Sequence, residues 1–177
     1  TLGYRFTDVQ DRWTDLVNQL KFQSGEEQET ARNTCHRLAK DAVSRLAPAF
    51  FSSPTLVVPI IGHDELETNP NSVVSLLAQD IASFNSYHYC PDLIRKSRTH
   101  EPLKRIRGRE ERIAAHENVY RSRRLEELGY SRPESVILVD DIVTNGTSMN
   151  DAARAILEAN GEIEIRGFAL ARHIPKG

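Results

Sequence analysis

Val136-Ile-Leu-Val-Asp-Asp-Ile-Val-Thr-Asn-Gly-Thr-Ser148 is the stretch that decides how this chain folds. Val136 to Val139 is an unbroken apolar run rich in β-branched residues, the pattern of a strand buried on both faces inside a parallel sheet. Asp140 and Asp141 fall where that strand emerges. Thr144, Asn145, Gly146, Thr147 and Ser148 make a short polar loop, and Asn150 to Asn160 has the apolar spacing of an amphipathic helix, with Gly161 placed to stop it. Strand, loop and helix in that order aim the loop's amides at an anion.

The chemistry follows from the parts. Backbone N–H groups at a helix N-terminus, together with the positive end of the helix dipole, favour a phosphate, and Thr144, Thr147 and Ser148 add hydroxyl donors. Gly146 lets the backbone come close. Two adjacent carboxylates cannot help a phosphate, so Asp140 and Asp141 imply either vicinal hydroxyls that donate to them or a hydrated Mg²⁺. Phosphate on one side and a diol on the other describe a ribose 5-phosphate. An Asp-Asp pair alone reads equally as a turn and helix cap, and Thr-Asn-Gly as an ordinary loop; it is their succession that carries the reading.

Outward from this stretch, Thr55-Leu-Val-Val-Pro-Ile-Ile61 is a second buried strand, followed by the polar segment Gly62 to Pro70 and a helix over Asn71 to Phe84. That polar segment would open at the carboxyl end of the sheet, where open α/β folds bind ligands. It holds Asp64, Glu65 and Glu67, which repel anions unless Mg²⁺ intervenes. The N-terminal part predicts two helices, Thr7 to Phe22 through Val9, Trp13, Leu16, Val17 and Leu20, and Glu26 to Ala47, closed by Pro48. Trp13 reads as a core anchor and His36 as a structural histidine. Ile163, Ile165, Phe168 and Leu170 mark a last strand, running to His173.

Between Tyr87 and Tyr130 the chain turns basic, with Arg95, Lys96, Arg98, Lys104, Arg105, Arg107, Arg109, Arg112, Arg121, Arg123 and Arg124. Arg95 to Arg107 contains Pro102 and predicts a flexible basic hairpin or lid; Arg109 to Tyr120 predicts a short helix. A solvated charged surface is the plain alternative for any one of these residues. As a group they point to a polyanion partner, and nucleic acid is one candidate.

These residues resemble a known family, the type I phosphoribosyltransferases, whose signature for phosphoribosyl pyrophosphate is similar to Val136–Ser148 nearly throughout. The likeness is nearest to the ComF branch, associated with DNA uptake: Val57-Val-Pro-Ile-Ile-Gly-His63, Leu93-Ile-Arg-Lys-Ser-Arg98, Arg109-Glu-Glu-Arg112 to Tyr120, and Ala169-Leu-Ala-Arg172 match it in order. The resemblance covers about Leu20 to His173. It implies an open, mainly parallel α/β sheet flanked by helices, and Asp140 and Asp141 as catalytic residues on the ribose, also holding Mg²⁺ through bound water. It further implies substrate binding by Thr144, Asn145, Gly146, Thr147 and Ser148 around the 5-phosphate, with Arg95, Lys96, Arg98 and His63 near the pyrophosphate. The implied activity is transfer of a phosphoribosyl group to a nitrogen base with release of pyrophosphate. A homodimer is implied as well. The competing reading is a non-catalytic module that senses phosphoribosyl pyrophosphate or a nucleotide, or associates with nucleic acid, in DNA uptake, defence or regulation.

A length of 177 residues suits one domain, with N-terminal helices over 1–50 and a sheet core over 51–177. The formal net charge of −2 argues against a protein that coats nucleic acid generally. Cys35 and Cys90 are two widely separated thiols with no metal-ligand spacing, so neither disulfides nor zinc are expected and a reducing, cytoplasmic setting is. No apolar run is long enough to span a membrane, and no signal peptide is evident. Thr1 in place of Met implies a trimmed or processed start.

Overall fold

The structure is a computed structural model that describes residues 2–4, 15–16, 18–20, 24–50, 55–99, 118–131, 133 and 135–173, with backbone only at 2–4, 39–40, 42–50 and 173. Its centre is a five-stranded sheet of order β1-β7-β6-β2-β3, every neighbouring pair parallel. The strands are β1 (Leu2–Tyr4), β2 (Thr55–Pro59), β3 (His88–Tyr89), β6 (Ser135–Val143) and β7 (Glu164–His173). Helices α1 (Glu26–Phe50), α2 (Val73–Asn85) and α3 (Thr147–Asn160) flank it. A separate antiparallel ribbon pairs β4 (Ile94–Lys96) with β5 (Tyr120–Ser122). This is the open parallel α/β architecture expected from the sequence.

Alternation along the two central strands sorts the core into two layers. Leu56, Val58, Val136 and Leu138 face Ala152, Ala155 and Ile156 of α3 and the buried ribbon residues Ile94 and Tyr120. Val57, Ile137 and Val139 face Leu77, Ala78 and Ile81 of α2, with Ala31 and Cys35 of α1 beyond. Leu56, Leu77, Ile81, Ile137, Leu138 and Ile156 are fully buried, each contributing about 1.5–3 kcal/mol of transfer free energy. Both faces of β2 and β6 are covered, which is why their sequences are apolar without alternation.

The connections set the place of the site. β2 passes through α2 to β3 on one side, while β6 passes through α3 to β7 on the other. The chain therefore reverses direction across the sheet between β2 and β6, and the crevice beyond their carboxyl ends is the switch point where open α/β sheets hold ligands.

Local details differ from the sequence expectations in several places. Residues 2–4, ahead of the expected N-terminal helices, form the edge strand β1 on β7; β3 is not among the expected elements; and β2 stops at Pro59 rather than Ile61. β6 runs on to Val143, so Asp140 and Asp141 lie within it: β7 continues to pair with β6 through Val143 after β2 has ended at Pro59. α3 starts at Thr147 rather than Asn150, because Gly146 takes the left-handed conformation (φ 77°) that turns the chain into the helix. α1 continues past Pro48 to Phe50. Tyr120 is in strand β5, not at the end of a helix, because its amide and that of Val119 are bonded to Asp151 and its main chain pairs with Lys96. The rest of the expected Arg109–Tyr120 helix, as far as residue 117, lies outside the described residues, as do Val9, Trp13 and Val17, and Lys104, Arg105 and Arg107.

Candidate functional site

The site begins where β2 and β6 part. Ile60 N–H still donates to Val139 O at 2.8 Å, but one step later the Ile61 carbonyl accepts the Tyr120 hydroxyl at 3.0 Å. On β6 the Asp141 amide donates to Asp140 Oδ1 at 2.8 Å, and the Ile142 amide to Asp141 Oδ1 at 2.6 Å. Past the last β2 partner, the two carboxylates thus satisfy the backbone of the strand that carries them.

Beyond this fork is a cavity of about 220 Å³, lined by Ile60, Ile61, Gly62, His63, Glu65, Ser72, Val74, Lys96, Asp140, Asp141 and Ser148. Abutting it is a small cleft of about 30 Å³ bounded by Asp140 and residues 142–149, the whole turn from β6 into α3. Asp140 and Ser148 border both. On the far side of the same turn, Val143, Thr144, Asn145, Gly146, Met149, Gly167, Ala169 and Arg172 line a third hollow of about 290 Å³. A larger cavity, about 510 Å³, is between Asp15, Leu16 and Gln19 and α1; no residue of the turn or the strand ends borders it, so size alone does not mark the site.

The turn is held by its own side chains. Asn145 Oδ1 accepts from the Thr147 amide at 3.2 Å and lies 3.4 Å from the Thr144 hydroxyl. Asn145 is exposed.

The cations are placed unequally. β4 alternates, with Ile94 and Lys96 buried and Arg95 exposed on the other side. Lys96 is only 5% exposed; its Nζ donates to Gly62 O at 2.5 Å and sits 5.4 Å from the centre of the Tyr120 ring. Burial pulls its pKa down to about 8, against the opposing carboxylates of Glu65, Asp64 and Asp140. Arg98 is exposed, and neither it nor Arg95 borders the cavity. His63 does border it, half-exposed, with Nδ1 3.8 Å from Asp64 Oδ1. Among the expected site residues, the fold thus gathers Asp140, Asp141, Ser148, Lys96 and His63 round one cavity, puts Thr144, Asn145, Gly146 and Thr147 in the adjoining cleft, and leaves Arg95 and Arg98 outside.

Three residues that sequence reasoning passed over build this arrangement. Asp151 in α3 is buried and accepts the amides of Asn118, Val119 and Tyr120 at 3.2, 2.8 and 2.9 Å, as well as bonds from Arg154. Asn160, at the other end of the helix, accepts from Leu125 N–H and donates to Arg123 O. Tyr120, so fixed, caps Ile61 O and provides the surface over which Lys96 lies. The available signal was Asp151 on the same helical stripe as Ala152, Ala155 and Ile156, a polar residue where an apolar one was due.

The donor set suits a hydrated Mg²⁺: two neighbouring carboxylates supply hard oxygens, and a cation that dehydrates reluctantly needs little more from the protein. Among the described residues, no three His, Cys, Asp or Glu side chains gather into a metal cage. No helix among them is long and apolar enough to cross a membrane.

No protein-family model matches the chain, and no curated protein matches it. Among solved structures, the crystal structure of TT1426 from Thermus thermophilus is similar at 16% sequence identity, with a TM-score of 0.40, over 82% of this chain and 84% of that one. The functional reading stands on the residues themselves.

Proposed function

We propose that the crevice between β2 and β6 binds a ribose 5-phosphate unit, as carried by phosphoribosyl pyrophosphate, and that the protein transfers the phosphoribosyl group to a nitrogen base. The observation that carries this reading is the shared border: Asp140 and Ser148 join the turn's cleft to the carboxylate-lined cavity, so one ligand can reach both. The turn Thr144–Ser148 would take the phosphate through hydroxyls and first-turn amides of α3. Asp140 and Asp141 would accept hydrogen bonds from the two ribose hydroxyls.

In the transfer step the base nitrogen forms its bond to C1 as the C1–oxygen bond breaks, and pyrophosphate departs with the bonding pair while the nitrogen sheds its proton to solvent. Positive charge develops on the ribose ring, and the two aspartates set negative charge beside it. A Mg²⁺ held through water by Asp140 and Asp141 would neutralise the leaving pyrophosphate. Among the described residues, Lys96 is a basic side chain that borders the cavity, and it faces the same corner.

The test is calorimetry with ribose 5-phosphate, and with phosphoribosyl pyrophosphate plus Mg²⁺, followed by pyrophosphate release across nucleobases. Asp141→Asn should lower turnover about 100-fold, the scale for one lost preorganised contact, with the unfolding transition retained. Unchanged turnover removes Asp141 from the reaction. A second reading, sensing without transfer, draws support from Glu65, a carboxylate that borders the cavity; binding with no pyrophosphate release for any base selects it.

A further inference from the structure

The Gly62–Glu65 corner is built around an anion that the protein itself provides. Glu65 Oε2 accepts the Gly62 amide at 3.1 Å, and the Glu65 amide closes the turn onto Gly62 O at 3.2 Å. The same Gly62 carbonyl takes the Lys96 ammonium. A Cβ added to Gly62 would stand 2.8 Å from Glu65 Oε2 and 3.2 Å from its Cδ, so the carboxylate lies in the space that the glycine leaves open. Leu66 O then accepts the Lys96 amide at 2.7 Å, which latches the turn to β4. Glu65, Gly62 and Lys96 all border the cavity that holds Asp140 and Asp141.

A carboxylate on a loop amide beside an ammonium is the arrangement that a phosphate oxygen would otherwise adopt. Two charges of opposite sign already balance here, and Asp64 adds a further negative charge nearby. A pyrophosphate reaching this amide must first swing Glu65 out, and it then meets a corner whose positive charge is already compensated. Ribose 5-phosphate makes no such demand, because its phosphate is taken by the Thr144–Ser148 turn on the other side of Asp140.

We propose that Glu65 is a built-in competitor of pyrophosphate: its carboxylate fills the anion position at the Gly62 amide, so that the folded site takes sugar monophosphates readily and pyrophosphate-bearing ligands only on displacement of Glu65. The inference rests on the ribose 5-phosphate reading for its second half and on the Gly62 corner alone for its first.

The experiment titrates inorganic pyrophosphate and ribose 5-phosphate separately, each with Mg²⁺, into the wild type, Glu65→Gln and Glu65→Ala. Gln keeps an acceptor for the Gly62 amide without the charge, and Ala empties the position. Both variants should bind pyrophosphate at least tenfold more tightly than the wild type, with ribose 5-phosphate affinity changed less than twofold. Pyrophosphate affinity that is unchanged, absent throughout or weaker in both variants overturns the proposal, the last because it would make Glu65 a holder of the ligand's metal. Tighter pyrophosphate binding with no ribose 5-phosphate binding in any of the three proteins would support the competitor and refute the sugar-phosphate reading.

Discussion

Replacing Asp151 by Ala tests how the site is held. Asp151 is 8% exposed, and its carboxylate takes three successive amides at the start of β5. Val119 and Tyr120 are completely buried, so truncation leaves two N–H groups without an acceptor and without access to water. Each such orphan costs about 1–3 kcal/mol. Arg154 is partly compensated, since it also donates to Glu158 and to Tyr120 O. The expected loss is about 4 kcal/mol from these two amides together, a large share of the about 5–15 kcal/mol that stabilises a typical domain. Urea unfolding measures the total, and amide hydrogen exchange at Val119 and Tyr120 locates it. Exchange should quicken there before it does at Val57 or Ile137 in the central strands, because β5 is anchored to α3 rather than to the main sheet. Asp151→Asn, which keeps one acceptor oxygen, should fall roughly midway. A loss below about 1 kcal/mol with protection at Val119 and Tyr120 intact would refute the argument that Asp151 anchors the ribbon.

Two further outcomes follow from local chemistry. His36 Nδ1 pairs with the Asp80 carboxylate across the α1–α2 contact while its Nε2 is buried with no hydrogen-bond partner, an arrangement suited to a neutral ring. Burial lowers its pKa below the ordinary histidine value, Asp80 opposes the shift and Arg32 adds to it; the folded state therefore binds the proton less readily than the unfolded state, and this contribution to stability is complete above about pH 6.5 and declines as pH falls below it. Urea midpoints at pH 7.5 and 5.5 should differ more for the wild type than for His36→Asn, and equal differences would exclude His36 as the source. At Gly146, φ is 77° and an added Cβ would meet only Asn150 Nδ2 at an ordinary 3.9 Å, so Gly146→Ala should cost about 1 kcal/mol by backbone strain alone, read as a shift in the thermal midpoint. A shift equivalent to more than about 3 kcal/mol would mean that the turn is packed more tightly than these contacts show.

Much of the fold was legible because burial on both sides of a parallel sheet leaves a direct trace in the sequence. Val136–Val139 and the apolar run from Thr55 read as interior strands, the second ending at Pro59 rather than Ile61, and the apolar spacing of α2 and of α3 fits the need to cover them. Gly161 was legible as a helix stop and proves to have a positive φ of 76°. The boundaries were harder. The start of α3 depended on the conformation of one glycine, and the length of β6 depended on β7, a neighbour that lies downstream in sequence and goes on pairing after β2 has stopped.

The site divides in the same way. Asp140, Asp141 and the Thr144–Ser148 turn are contiguous, so their proximity was settled by covalent connection and the strand-turn-helix pattern. Whether Lys96 faces them and Arg95 does not was decided by the pleat of β4 and its packing on Tyr120, since one-residue alternation sends adjacent cations to opposite sides. The clamp of Asp151 on residues 118–120 and the hold of Glu65 on Gly62 likewise belong to the folded chain. An acidic residue's charge can be read from the sequence, but the amide that it binds is fixed only when distant segments come together and leave that amide no other acceptor.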